Sequence, residues 1–79
     1  MASPKLPVLP ARKVIKALIK DGFVEQRATR GSHRKFKKTV DNYVFVTLVP
    51  INEKYIARRL LLTIIKQAGH TKESFLELL

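Results

Sequence analysis

One segment of the chain reads as a strand and nothing else. Tyr43-Val44-Phe45-Val46-Thr47-Leu48-Val49 is β-branched or aromatic almost throughout, and Pro50 closes it. Two further strand-like runs precede it, Phe23–Ala28 and Ser32–Lys37, with a turn at Thr29-Arg30-Gly31 and a second loop from Lys38 to Asn42, where Asp41-Asn42 are turn formers. Loops this short make an antiparallel meander the economical arrangement. Helical periodicity flanks it on both sides. Pro10 suits a helix's first turn, Ala11, Val14, Ile15, Leu18 and Ile19 follow at helical spacing, and Asp21-Gly22 supplies a stop. After the strands, Ile56, Leu60, Leu61, Ile64, Ile65 and Ala68 form the stripe of a helix expected over Glu53–Ala68 and ended by Gly69. Thr71 is placed to cap a short last helix through Phe75, Leu76, Leu78 and Leu79, with Glu73 in its first turn. The expected fold is α+β: helix, three strands, helix, a short extra C-terminal helix, and a three-stranded antiparallel sheet with the main helices on one face. The other sheet face is then left without internal cover.

Residues 1–9 form a Pro-rich arm, and 10–79 a single domain. With 79 residues the core is thin, while an apolar fraction of 46% argues against disorder. Sixteen basic and six acidic residues give a net charge of +10. That charge speaks to partners: nucleic acid, an acidic protein or an anionic surface. No apolar run approaches the roughly 18 residues of a spanning helix. The N-terminal residues, broken by prolines, do not form a signal peptide. The chain has no cysteine, which excludes disulfides and thiol chemistry. The expected location is the cytoplasm, with no membrane partner.

Positive charge is densest between Gln26 and Val40, where six Lys or Arg occur without an acid, and His33 lies inside that run in Gly31-Ser32-His33-Arg34-Lys35-Phe36. Strand alternation puts His33, Lys35 and Lys37 on one face and Phe36 on the other. Arg34 then shares the face of Phe36, so it must snorkel from an edge, or the strand must be short or bulged. An imidazole changes charge near neutral pH. RNA is cut without metal when one group deprotonates the 2′-OH and another protonates the leaving 5′-oxygen, and histidine suits either task. Arg30, Arg34, Lys35 and Lys37 are candidates to hold phosphate, and Ser32 with Gly31 offers turn N–H groups to an anion. Residue types alone leave three roles open for His33: catalysis, nucleic-acid contact, or an ordinary surface position. His70, after the Gly69 stop, is expected to interact with a helix C-terminus. Tyr43, Tyr55 and the lysines are the remaining candidates for a second proton-transfer group. Two histidines and six scattered acids give no metal-ligand spacing, and no cofactor is expected. Tyr43 and Phe45 share a strand face, as core residues or as base-stacking aromatics.

These segments resemble the HicA (YcfA-like) family of small toxins. The resemblance runs from about Ala11 to Leu79. It is carried by Val14-Ile15-Lys16-Ala17-Leu18, Asp21-Gly22-Phe23, Gly31-Ser32-His33 with Phe36, Val46-Thr47 with Pro50, Leu62–Gly69 and the tail Phe75–Leu79. The chain departs from the family's usual pattern at Lys37-Lys38-Thr39, Pro50-Ile51-Asn52 and Ile56–Leu60. The resemblance implies a double-stranded-RNA-binding-domain-like fold. It also implies the toxin role in a type II toxin–antitoxin system: metal-independent endoribonuclease action on mRNA, with His33 as the catalytic group. A cognate HicB-type antitoxin would neutralise it, and DNA would be contacted only by the toxin–antitoxin complex. The alternative is a non-catalytic RNA-binding module of the same fold.

Overall fold

The computed structural model describes residues 5–27 and 31–79. The order is α1 (Ala11–Lys20), β1 (Val24–Glu25), β2 (His33–Val40), β3 (Tyr43–Pro50), α2 (Arg58–Gln67) and α3 (Lys72–Leu76). The expected α+β architecture is present, with an antiparallel sheet in the order β1-β2-β3. Ala28, Thr29 and Arg30, which the sequence places at the end of the first strand and in its turn, lie outside the described residues.

Pro10 stands one position before α1, and its carbonyl accepts from Lys13 and Val14 (3.0 and 3.3 Å). Ala11, Val14, Ala17 and Leu18 form the buried face, while Ile19 stays 54% exposed. Both long helices stop the same way. Phe23 N–H donates to Leu18 and Gly22 N–H to Ile19; at the end of α2, His70 N–H donates to Ile65 and Gly69 N–H to Lys66. In each case the paired bonds satisfy late helix carbonyls, and a glycine at positive φ (Gly22 +104°, Gly69 +78°) makes the reversal.

The β2–β3 ladder runs in eight pairs from His33↔Pro50 to Val40↔Tyr43 and turns on Asp41-Asn42 alone. The second strand was expected to end at Lys37. It continues to Val40 because Lys38 has somewhere to go. Its ammonium reaches Asp21 Oδ2 at 3.0 Å and stands 5.7 Å from the centre of the Phe23 ring. β1 is shorter than the sequence suggests: Val24 and Glu25 pair with Lys37 and Phe36, and Gln26 N–H adds one bond to the Lys35 carbonyl at 2.8 Å.

The expected helix over Glu53–Ala68 starts late, at Arg58. Ile56 is fully buried and bridges to Leu9, its N–H donating to the Leu9 carbonyl at 2.6 Å, which holds the chain extended through Ala57. A tertiary pairing thus overrides local helix preference. The same contact secures the N-terminal arm. Leu6 and Leu9 are buried, and Arg58 Nε donates to the Leu6 carbonyl at 2.7 Å.

Phe36, Thr47 and Val49 point from the sheet into a core shared with Val14, Leu18, Ile56, Leu61, Ile64, Ile65 and Phe75. Thr47 is the one polar residue among the buried described ones. Its hydroxyl donates to Gln67 Oε1 at 2.8 Å, so the group is buried without loss of its hydrogen bond. α3 begins with a reciprocal cap: Thr71 Oγ1 accepts from Ser74 N–H and Ser74 Oγ accepts from Thr71 N–H.

Candidate nucleic-acid interface

The register fixes what each sheet face carries. Phe36 opposes Thr47 on the covered side, so alternation sends His33, Lys35, Lys37 and Thr39 to the other side. Opposite them stand Pro50, Leu48, Val46 and Val44 on β3, with Val24 beside Lys37 on β1. The open face is therefore a column of cations between apolar flanks. Val24, Val44, Val46 and Leu48 are 63%, 46%, 39% and 48% exposed. No described helix or strand lies over Val24, Val44, Val46 and Leu48, whereas Pro50, at the His33 end of the face, is buried. The β-branched alternation of β3 is the sequence signal for these flanks, once β3 is recognised as having one open side.

His33 is the first residue of β2, exposed and opposite Pro50. Lys35 and Lys37 follow it on the same face, both exposed. Ser32 is half-buried just before the strand, and its carbonyl accepts from Ile51 N–H at 2.6 Å. That bond ties the approach to His33 to the loop that leaves β3. Arg34 stands apart from this group. On the covered side, its Nη1 lies 3.4 Å from Glu25 Oε1. Glu25 pairs with Phe36, so it occupies that same side. Of the expected alternatives the side chain takes the first in part: it reaches out to Glu25 from near the start of the central strand, and no bulge interrupts the β2–β3 ladder. Arg30 lies outside the described residues.

The other candidates for proton transfer separate cleanly. Tyr43 pairs with Val40, seven residues along β2 from His33, or about 24 Å. It is on the covered side, its ring 4.7 Å from Phe45. His70 belongs to another cluster. Its Nε2 is 2.7 Å from Asp21 Oδ2 and its Nδ1 is 2.7 Å from Ser74 Oγ. Lys38 joins the same Asp21 oxygen from five residues down the strand and the opposite face. His70 was expected to serve a helix terminus; it instead bonds a carboxylate and a hydroxyl, pinning the end of α1 to α3. Burial works to raise the Asp21 carboxyl, but hydrogen bonds from His70 and Lys38, with the positive charge beside them, hold it below the ordinary value of 3.8. Tyr55 lies in the loop between β3 and α2, five residues after Pro50, and is 54% exposed. Among the described residues, no three His, Cys, Asp or Glu gather as metal ligands.

A family model for the HicA toxin of bacterial toxin–antitoxin systems matches residues 11–70. The chain belongs to the HicA toxin family. The matched span includes α1, the whole sheet, α2 and both helix stops, so membership rests on the domain rather than on the histidine segment alone. No curated protein and no solved structure gives a significant match. HicA membership makes this chain the toxin of a toxin–antitoxin system, in a family generally of ribonuclease toxins, and implies a cognate antitoxin. Among the described residues, no helix is long and apolar enough to cross a membrane.

Proposed function

We propose that this toxin is a metal-independent endoribonuclease of mRNA, that His33 performs acid–base chemistry at the scissile phosphate, and that a HicB-type antitoxin neutralises it. The observation that carries the reading is the exposed imidazole at the head of a cationic column, Lys35 and Lys37, on the sheet face that leaves Val44, Val46 and Leu48 open. A strand of RNA laid on that face meets Lys35 and Lys37 as phosphate contacts. Ser32 lies beside the reacting group, with Arg30 assigned to phosphate on sequence position. In the reaction, His33 accepts the 2′-OH proton as the 2′-oxygen bonds to phosphorus and the P–O5′ bond breaks, or it donates the proton that the departing 5′-oxygen takes up. The other transfer falls to water or to a titratable group at the same end of the sheet. Cationic groups beside the phosphate stabilise the charge that develops there.

Purified protein is expected to cut single-stranded RNA in EDTA. His33→Ala, a change at an exposed strand end, should fold normally and lose at least about 100-fold in rate. Undiminished cleavage by that variant would overturn the assignment.

One observation favours a second reading. The described part of the open face carries no other histidine and no acid, so His33 has no evident proton-transfer partner there. A non-catalytic RNA-binding module would bind RNA with strong salt dependence, leave it intact, and cause no growth arrest on expression.

A further inference from the structure

The loop that leaves β3 encloses a cleft with the start of α1. It has a volume of about 270 Å³, and its lining includes Pro10, Arg12, Ile51, Glu53, Lys54 and Tyr55. Its lining residue Ile51 ties it to the end of β2 that carries His33. Pro50 is the residue opposite His33, and Ile51, the next in sequence, bonds the Ser32 carbonyl. We propose that this cleft seats a nucleobase of the RNA strand next to the cleaved phosphate, with Tyr55 as its stacking platform and Glu53 reading its edge. The proposal rests on the ribonuclease reading above.

The chemistry of the lining fits a base better than a phosphate alone. Tyr55 keeps 54% of its surface exposed, and the Lys54 ammonium lies 6.0 Å from its ring centre. A large aromatic left bare beside a cation is what an unstacked base needs, because single-stranded RNA is bound by stacking splayed bases on aromatic side chains. Pro10 and Ile51 add apolar wall. Glu53 is the unexpected member. Of the six acids in a chain of net charge +10, it stands in a cleft at the RNA end and makes no ion pair among the described residues. A carboxylate repels phosphate but accepts N–H donors, since when ionised it has acceptors only. It therefore favours a base with adjacent donors. Guanine is the best match, because its N1–H and N2 amino group lie side by side. Arg12 and Lys54 remain to neutralise the phosphate attached to that base.

The test uses full-length His33→Ala protein, so that RNA chemistry does not intervene. Backbone amide NMR shifts are followed on addition of guanosine 5′-monophosphate, uridine 5′-monophosphate and inorganic phosphate. The expected result is saturable shifts at Ile51, Glu53, Lys54 and Tyr55 with the guanosine nucleotide, weaker binding of the uridine nucleotide, and, with phosphate, shifts confined to Arg12 and Lys54. Tyr55→Ala should weaken guanosine nucleotide binding about 10-fold, while Tyr55→Phe retains it. Glu53→Gln should erase the preference for guanosine over uridine. Equal shifts with phosphate alone, or binding untouched by Tyr55→Ala, would overturn the proposal. Cleavage assays separate the two readings. If protein with an intact His33 cuts RNA, and Tyr55→Ala cuts at the same bases, the nucleotide seat fails and the nuclease stands. If protein with His33 intact leaves RNA uncut while the guanosine nucleotide still fills the cleft, the nuclease fails and the seat stands.

Discussion

Gly69 and Gly31 both sit at positive φ, +78° and +87°, yet their surroundings differ. Among the described residues, a Cβ on Gly31 would meet nothing within 4 Å, whereas one on Gly69 would fall 2.5 Å from Cε1 of the Phe45 ring. Gly31→Ala should therefore cost only the left-handed backbone penalty, about 1 kcal/mol. Gly69→Ala adds overpacking against β3 and should cost about 3 kcal/mol. Urea unfolding midpoints of the two variants measure the difference, and equal losses would mean the Phe45 ring moves aside freely. Sequence shows that Gly69 ends a helix, but not that an aromatic ring from 24 residues earlier rests on it. The place of His33 as an exposed imidazole within the basic run was legible for a simpler reason. Strand alternation from Phe36 needs only local spacing.

At the scale of elements, Asp21 joins three pieces of the fold. It caps α1, accepts from Lys38 of β2 at 3.0 Å, and meets His70 ahead of α3 at 2.7 Å. Its folded carboxyl lies below the ordinary value of 3.8. A lowered carboxyl stabilises the fold fully above the unfolded value and loses that contribution as pH falls through the folded one. Asp21→Asn should thus cost about 1.5–3 kcal/mol at pH 7, and the gap to the parent protein should begin to narrow once pH falls below 3.8 and shrink further as pH passes through the lower folded value. Urea unfolding of both proteins at pH 7 and pH 3 checks this; a gap unchanged at pH 3 would assign the loss to packing. This cluster was opaque in the sequence because its members are 17 and 49 residues apart. The late start of α2 has the same origin. Glu53–Ala57 contains acceptable helix formers, but the Leu9–Ile56 bridge, across the domain, holds Ile56 out of the helix, and Ala57 stays extended. Elements set by local periodicity and glycine stops, such as α1 and β3, needed no such partner and were readable directly.

Over the whole molecule, the net charge of +10 says that polyanions will bind, but the sheet decides which cations engage them. Lys35 and Lys37 rise from the open face among exposed apolar residues, while Arg34, their neighbour in sequence, turns to the helix side and pairs with Glu25. Composition alone treats the three as equivalent. If RNA lies on the open face, Lys37→Gln should weaken binding at low salt and reduce the slope of log affinity against log salt by about 0.7, the value of one phosphate contact with a single strand. Arg34→Gln should leave that slope almost unchanged. It should also cost less than about 1 kcal/mol in stability, since its ion pair with Glu25 is exposed. Fluorescence anisotropy of a labelled RNA across a salt series measures both slopes, with His33→Ala as the common background to prevent cleavage. Equal slope changes for the two variants would mean the RNA wraps the edge of the sheet. A change for Arg34→Gln alone would move the interface to the helix side.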